Sequence, residues 1–300
     1  MKSAWIPILC AVMLAASVIF FFQASMKNRQ LKTESEQQKP ATMQDAEKKL
    51  RPSIAFNVNL KALAEKFHEG HPDQANWERE LFLADELSAY FLFLNKGQFL
   101  PLSLNRAGRE WMIVVDGTCS MLNIYGNGSQ TMKQTLGFRE GDIAVSGKAS
   151  ARELNNSSNE KYFSAVLLSS PPFAGHFFVK ENDKELKKGE QSTKIASPSI
   201  QEEIKKKEQR FISEDMTPIG EIQVKMVQIA TDYKKKTDRK TMFYTFTGEG
   251  LLQTASAEMV NLSSGQITVV EQGAEITVFA KKVAPLAMLE LSLPDEKRGK

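Results

Sequence analysis

Imidazoles both ligate metals and carry protons near neutral pH, so the three histidines come first. His68-Glu69-Gly70-His71 sets two of them beside a carboxylate. The zinc motif H-E-x-x-H spaces its histidines to share one helical face. Here the second histidine comes one residue early, and Gly70 stands between the two, where it ends a helix. A metal would need a third ligand, with His176 the remaining imidazole. The pattern reads as a solvated helix end, where histidine suits the dipole, and no metal is expected.

Other chemistry is sparse. The chain has no G-x-S-x-G serine motif. Cys119 lies in a predicted strand with no histidine nearby in sequence and reads as a buried thiol. Cys10 sits in an apolar leader, so the two cysteines form no disulfide framework. Asp85 and Glu86 are adjacent and point to different faces. Gly126-x-Gly128 and Gly248-x-Gly250 precede no helical pattern, so no phosphate cradle and no cofactor is expected. No catalytic residue is assigned, and the chain is expected not to be an enzyme. Trp111 and Tyr125 are the candidate binding residues, although alternating aromatics on strands more often face the core. A cleft gathering His176 with carboxylates would instead favour a hydrolase built from scattered residues.

The elements that must position these residues are mostly strands. Asn59 is a good N-cap, Leu60, Leu63, Ala64 and Phe67 share one helical face, and Gly70 ends that helix. Pro72-Asp73 opens a second short helix, with Trp77, Leu81 and Ala84 on its buried side. Alternating apolar runs then follow, punctuated by Asn95-Lys96-Gly97, Asp116-Gly117, Gly126-Asn127-Gly128 and Glu140-Gly141-Asp142. About eight such strands predict an antiparallel β-sandwich. After Pro198, Ser199-Ile200-Gln201-Glu202 forms a capping box that opens a connector helix. From Ile219 the alternation of Ile222, Val224 and Met226, then Met242, Tyr244 and Phe246, then Leu289, Leu291 and Leu293 predicts a smaller antiparallel sheet.

Residues 4–26 carry no charged side chain, long enough for a helix to cross a bilayer and too long for a usual cleaved leader. Residues 27–52 are polar and charged, as in a flexible tether. The expected organisation is therefore mainly β. It comprises a transmembrane anchor (1–26), a tether (27–52), a β-sandwich with a helical lead-in (53–195), a helical connector (196–213) and a small β domain (214–300). Basic residues flank the anchor on both sides, and the long C-terminal part is placed outside the cytoplasm, because long domains translocate regardless of flanking charge. A net charge of +3, dispersed along the chain, argues against nucleic acid as a partner.

Three resemblances bear on function. Asp116-Gly117-Thr118, Leu122-Asn123 and Glu140-Gly141-Asp142 resemble the turn pattern of jelly-roll carbohydrate-binding domains, and equally that of FecR-like envelope domains, over residues 110–180. Thr247-Gly248-Glu249-Gly250 through Gly273-Ala274-Glu275 is similar to the strand–turn–strand units of OstA-like lipopolysaccharide-transport proteins, over residues 245–280. His71-Pro72-Asp73 is similar to the signature tripeptide of J-domain cochaperones, but the tyrosine-rich helix that should precede it is missing. With the anchor, the first two imply a membrane-anchored, cell-envelope binding or scaffold protein whose partner is a glycan, a lipid or an envelope protein, with FecR-like signalling or lipopolysaccharide transport as the alternative; the third implies a J-domain-type cochaperone.

Overall fold

The computed structural model describes residues 53–72, 76–84, 87–104, 108–156, 162–173, 175–195, 211–216, 218–220, 222–281 and 285–293. The described residues open with strand β1 (Ile54–Asn59) and helix α1 (Leu60–Gly70). Strands β2 (Asn76–Ala84), β3 (Leu87–Asn95), β4 (Phe99–Leu104), β5 (Arg109–Asp116), β6 (Thr118–Asn127) and β7 (Gln130–Arg139) follow. Next come β8 (Ile143–Ser146), β9 (Ala151–Asn155), β10 (Tyr162–Ser170), β11 (Phe177–Phe178) and β12 (Thr193–Ile195). The C-terminal part contributes β13 (Phe211–Asp215), β14 (Gln223–Ile229), β15 (Asp232–Lys236), β16 (Thr241–Thr247) and β17 (Gly250–Thr254). It ends with β18 (Met259–Leu262), β19 (Gln266–Val270), β20 (Glu275–Ala280) and β21 (Leu286–Ser292).

These strands form two sandwiches of the same design. In the first, a six-stranded sheet β12-β8-β5-β10-β3-β2 accompanies a five-stranded sheet β11-β4-β9-β6-β7. In the second, β1-β19-β16-β21-β14-β13 accompanies β15-β20-β17-β18. Read strand by strand, the two six-stranded orders match, and β1 holds in the second sandwich the place that β12 holds in the first. A segment from before α1 thus completes the C-terminal barrel by pairing antiparallel with β19.

Burial explains the apolar runs. β3 sends Leu92 and Leu94 into the first barrel, among Met112, Val114, Met121 and Phe163. Its alternate residues Phe91 and Phe93 enter a different layer, with Trp111, Ile113, Met242, Tyr244, Leu289 and Leu291. The six-stranded sheets therefore bury both faces, which requires near-continuous hydrophobic sequence. The second barrel is filled by Val227, Phe243, Leu252, Ile276, Val278 and Met288. Helix α1 adds Leu60, Ala64 and Phe67 to the shared layer.

The mainly β, antiparallel architecture and the helix at Leu60–Gly70 agree with the sequence. The Asn59 side chain caps α1 by accepting from the Ala62 N–H at 2.9 Å. Two expectations are corrected. Residues after Pro72 form strand β2, not a helix. A register irregularity between Glu80 and Phe82 breaks the two-residue alternation, so Trp77, Leu81 and Ala84 reach the shared layer at a spacing that imitates a helix. The C-terminal part is a full sandwich of two sheets, larger than the small sheet expected. Among the described residues no helix is long and apolar enough to cross a membrane. The expected anchor (4–26), tether (27–52) and capping-box helix (199–210) lie outside the described residues.

Candidate functional site in the first barrel

Several strands of the first sandwich carry polar side chains to one place. Ser103 of β4 is the cross-strand partner of Arg152 of β9. Glu110 of β5 is opposite Ser146 of β8 and Ser169 of β10. Glu78 comes from the edge strand β2, and His176 from the segment leading into β11. Glu110, Arg152 and Ser103 are buried.

Two linked groups result. Glu78 Oε1 and Oε2 lie 2.7 and 2.8 Å from His176 Nε2, and His176 Nδ1 lies 3.4 Å from the Ser103 hydroxyl. A carboxylate accepts only, so Glu78 draws the ring proton to Nε2 and leaves Nδ1 as an acceptor facing Ser103. Beside them, Arg152 forms an ion pair with Glu110, and its Nη1 stands 3.4 Å from Ser146 Oγ. Burial pushes the Arg152 guanidinium down to about 10, with the Glu78 carboxylate opposing that fall. It therefore stays charged at neutral pH, and Glu78 joins the two groups electrostatically.

Aromatic rings border the imidazole. Phe173 meets it edge-on at 5.0 Å and Phe178 lies stacked at 5.8 Å. Phe178 is 62% exposed. The Phe173 N–H donates to Ser88 Oγ at 2.7 Å, which ties this segment to β3. Tyr90 packs on Phe173 and donates to Glu80; burial and the Glu80 carboxylate push its phenol up to about 12.

The residues singled out in the sequence fall elsewhere. Trp111 is fully buried in the layer between the six-stranded sheets, so its ring is core. Tyr125 is half-buried on β6 opposite Met132 of β7, outside the group around His176. His68 and His71 stay at the end of α1, where His71 stacks on Phe67 at 4.7 Å. Asp85 and Glu86 lie outside the described residues. The sequence left His176 gathered with carboxylates as the arrangement that would favour an enzyme, and the fold brings His176 to Glu78. Sequence reasoning missed Glu78, Ser103, Glu110 and Arg152. Glu110 left one signal, a carboxylate directly before the apolar run Trp111–Val115; Arg152, followed by Glu153, left none.

An open groove of about 590 Å³ lies on the outer sheet of the second barrel, along Lys234, Lys236, Gln253, Glu275 and Thr277. Lys234, Lys236 and Glu275 are exposed, and Lys236 and Glu275 stand 4.0 Å apart. Lys235, which also lines it, is already paired with Glu290, so the chemistry is assigned to the first barrel.

No protein-family model matches this sequence, and no curated protein matches it. Solved structures do. A cupin 2 conserved barrel domain protein from Leptotrichia buccalis aligns at a TM-score of 0.57 with 10% identity, covering 81% of this chain and 99% of the other. This chain has the cupin-barrel fold. A salicylate 1,2-dioxygenase from Pseudaminobacter salicylatoxidans aligns at 0.55 with 12% identity, over 81% and 84% of the two chains. An oxalate decarboxylase from Lactobacillus farciminis aligns at 0.50 with 14% identity, over 81% and 88%.

The cupin-barrel fold corrects three expectations. It bears out the jelly-roll architecture, but neither a carbohydrate-binding nor a FecR-like identity, and the OstA-like stretch is part of a two-sheet barrel. It overturns the membrane-anchored envelope scaffold. It also overturns the expectation of no enzyme, because the neighbours include a dioxygenase and a decarboxylase. The neighbours' chemistry raises the question of a metal. A non-haem iron oxygenase centre takes two histidines and one carboxylate on a face with open positions. This cluster has one imidazole, and Glu110 is held by Arg152. Among the described residues no group of three or more His, Cys, Asp and Glu is placed to share a metal. The residues do not fit that centre.

Proposed function

We propose that the first barrel is an acid–base active site that cleaves esters of small, uncharged polar molecules. The Ser103–His176–Glu78 alignment carries this reading. A hydroxyl, an imidazole and a carboxylate in that order form the arrangement by which a serine is activated as a nucleophile. Ser103 Oγ attacks the carbonyl carbon while His176 Nδ1 takes its proton. His176 then returns the proton to the leaving alcohol, and water cleaves the acyl-serine by the same path reversed. Glu78 fixes the tautomer and steadies the imidazolium. The 3.4 Å approach of Ser103 to His176 is long, as catalytic hydrogen bonds often are before substrate binds. The Arg152 charge is already taken by Glu110 and His176 is a neutral base, so the cluster has no surplus positive charge for an anionic substrate, hence the uncharged class.

The test uses the full chain with short-chain nitrophenyl esters and a fluorophosphonate probe. Turnover should fall by about 10²–10⁴-fold in His176→Gln, the usual weight of general acid–base catalysis. The probe should modify Ser103, seen by peptide mass spectrometry, and His176→Gln should abolish the modification. An unlabelled Ser103 in the unmutated protein, or turnover indifferent to His176→Gln, overturns the proposal.

A further inference from the structure

Glu110 is a fully buried carboxylate at the edge of an apolar barrel interior. A buried anion persists only beside a positive charge. Metal ions and side-chain cations can each supply that charge. We infer that the Arg152 guanidinium takes the place of a divalent metal ion in the first barrel, neutralising Glu110 and closing its position to a metal.

Three observations converge. Arg152 rises from the five-stranded sheet to reach Glu110 on the six-stranded one, so one side chain bridges both sheets. The other possible ligands near Arg152 are engaged with one another while it is present: the Glu78 carboxylate with His176 Nε2, His176 Nδ1 with the Ser103 hydroxyl, and Ser146 Oγ with the guanidinium itself. A divalent ion brought to Glu110 would face the guanidinium as a like charge in a buried site, where such repulsion is strong. The second barrel solves the same problem the same way. Glu290 of β21 is buried there, and Lys235 of β15 crosses from the facing sheet to pair with it. Each barrel thus carries its own cation.

The test reads metal, not turnover, so it fails or succeeds separately from the acid–base proposal. The full chain is incubated with Mn²⁺, Fe²⁺ or Zn²⁺, desalted, and assayed for metal by mass spectrometry, with its thermal midpoint measured with and without EDTA. The unmutated protein should retain far less than one metal per chain and keep its midpoint in EDTA. Arg152→Gln removes the built-in cation and should take up close to one Zn²⁺ or Mn²⁺ per chain, with a midpoint that rises on adding metal. Arg152→His carries the same test should the glutamine variant fail to fold, since imidazole can itself accept a charge or a metal. Stoichiometric metal in the unmutated protein, or no gain of metal in either variant, overturns the inference.

Discussion

Glu78 illustrates how a side chain's meaning depends on what it faces. In sequence it is one of several charges between Trp77 and Leu81; in the fold it sets the tautomer of His176. Trp111 runs the opposite way, from a candidate binding ring to a fully buried core residue. Trp111→Ala should therefore cost about 3–5 kcal/mol of stability, as for other large buried aromatics, measured by urea denaturation. Its folded fraction should keep its labelling at Ser103; selective loss of labelling would mark Trp111 as part of the site. Cys119 is 6% exposed, and burial pushes its thiol up to about 12, with Lys194 opposing. The thiolate is the reactive form, so a thiol-specific disulfide reagent at pH 8 should leave Cys119 untouched until denaturant is added. Rapid native labelling would show that this edge of the barrel opens.

At the level of elements, Asn59 ties three parts together. It ends β1, caps α1 through Ala62, and its Nδ2 donates to Ser263 Oγ at 2.9 Å beside the turn before β19. Asn59→Ala should cost about 1–2 kcal/mol, the upper range for a lost N-cap. β1 itself runs along β19 from Ile54↔Val270 to Asn59↔Gln266. Removing the chain through Asn59 bares the β19 edge, and exposed edges pair with other chains. Such a truncation should run as oligomers or aggregates in size-exclusion chromatography. A monomeric, equally stable product would mean that β1 only decorates the barrel.

Over the whole molecule, the layer shared by the two six-stranded sheets couples the barrels. Neither half can expose it without uncovering large apolar area, so calorimetry should show one unfolding transition; two separated transitions would contradict that coupling. The ionisable groups set an alkaline limit. Cys119 moves from 9.0 to about 12, Tyr90 from 10.0 to about 12, and Tyr162, Tyr233 and Tyr244 are raised further, burial being the first cause in each. Between pH 9 and 12 the unfolded chain gives up these protons while the folded one keeps them. The stability that the neutral forms contribute is complete below pH 9 and is lost as pH rises toward 12. Thermal midpoints measured from pH 8 upward should fall steadily beyond pH 9.

The sequence by itself determined what local physics decides. Asn59 and Gly70 delimit α1, and Asp116-Gly117 turns the chain because Gly117 takes φ +77, where a Cβ would lie 2.3 Å from the Tyr162 carbonyl oxygen. Strand alternation, and hence the β class, was equally local. Only the tertiary structure decided the rest. A bulge at Glu80–Phe82 disguised β2 as a helix, and β1 finds its partner more than two hundred residues away. The candidate site is the extreme case. Ser103 and His176 are separated by 73 residues and Glu78 and His176 by 98, and no spacing rule spans such distances. Their meeting follows from strand order, which long-range pairing sets and local sequence does not encode.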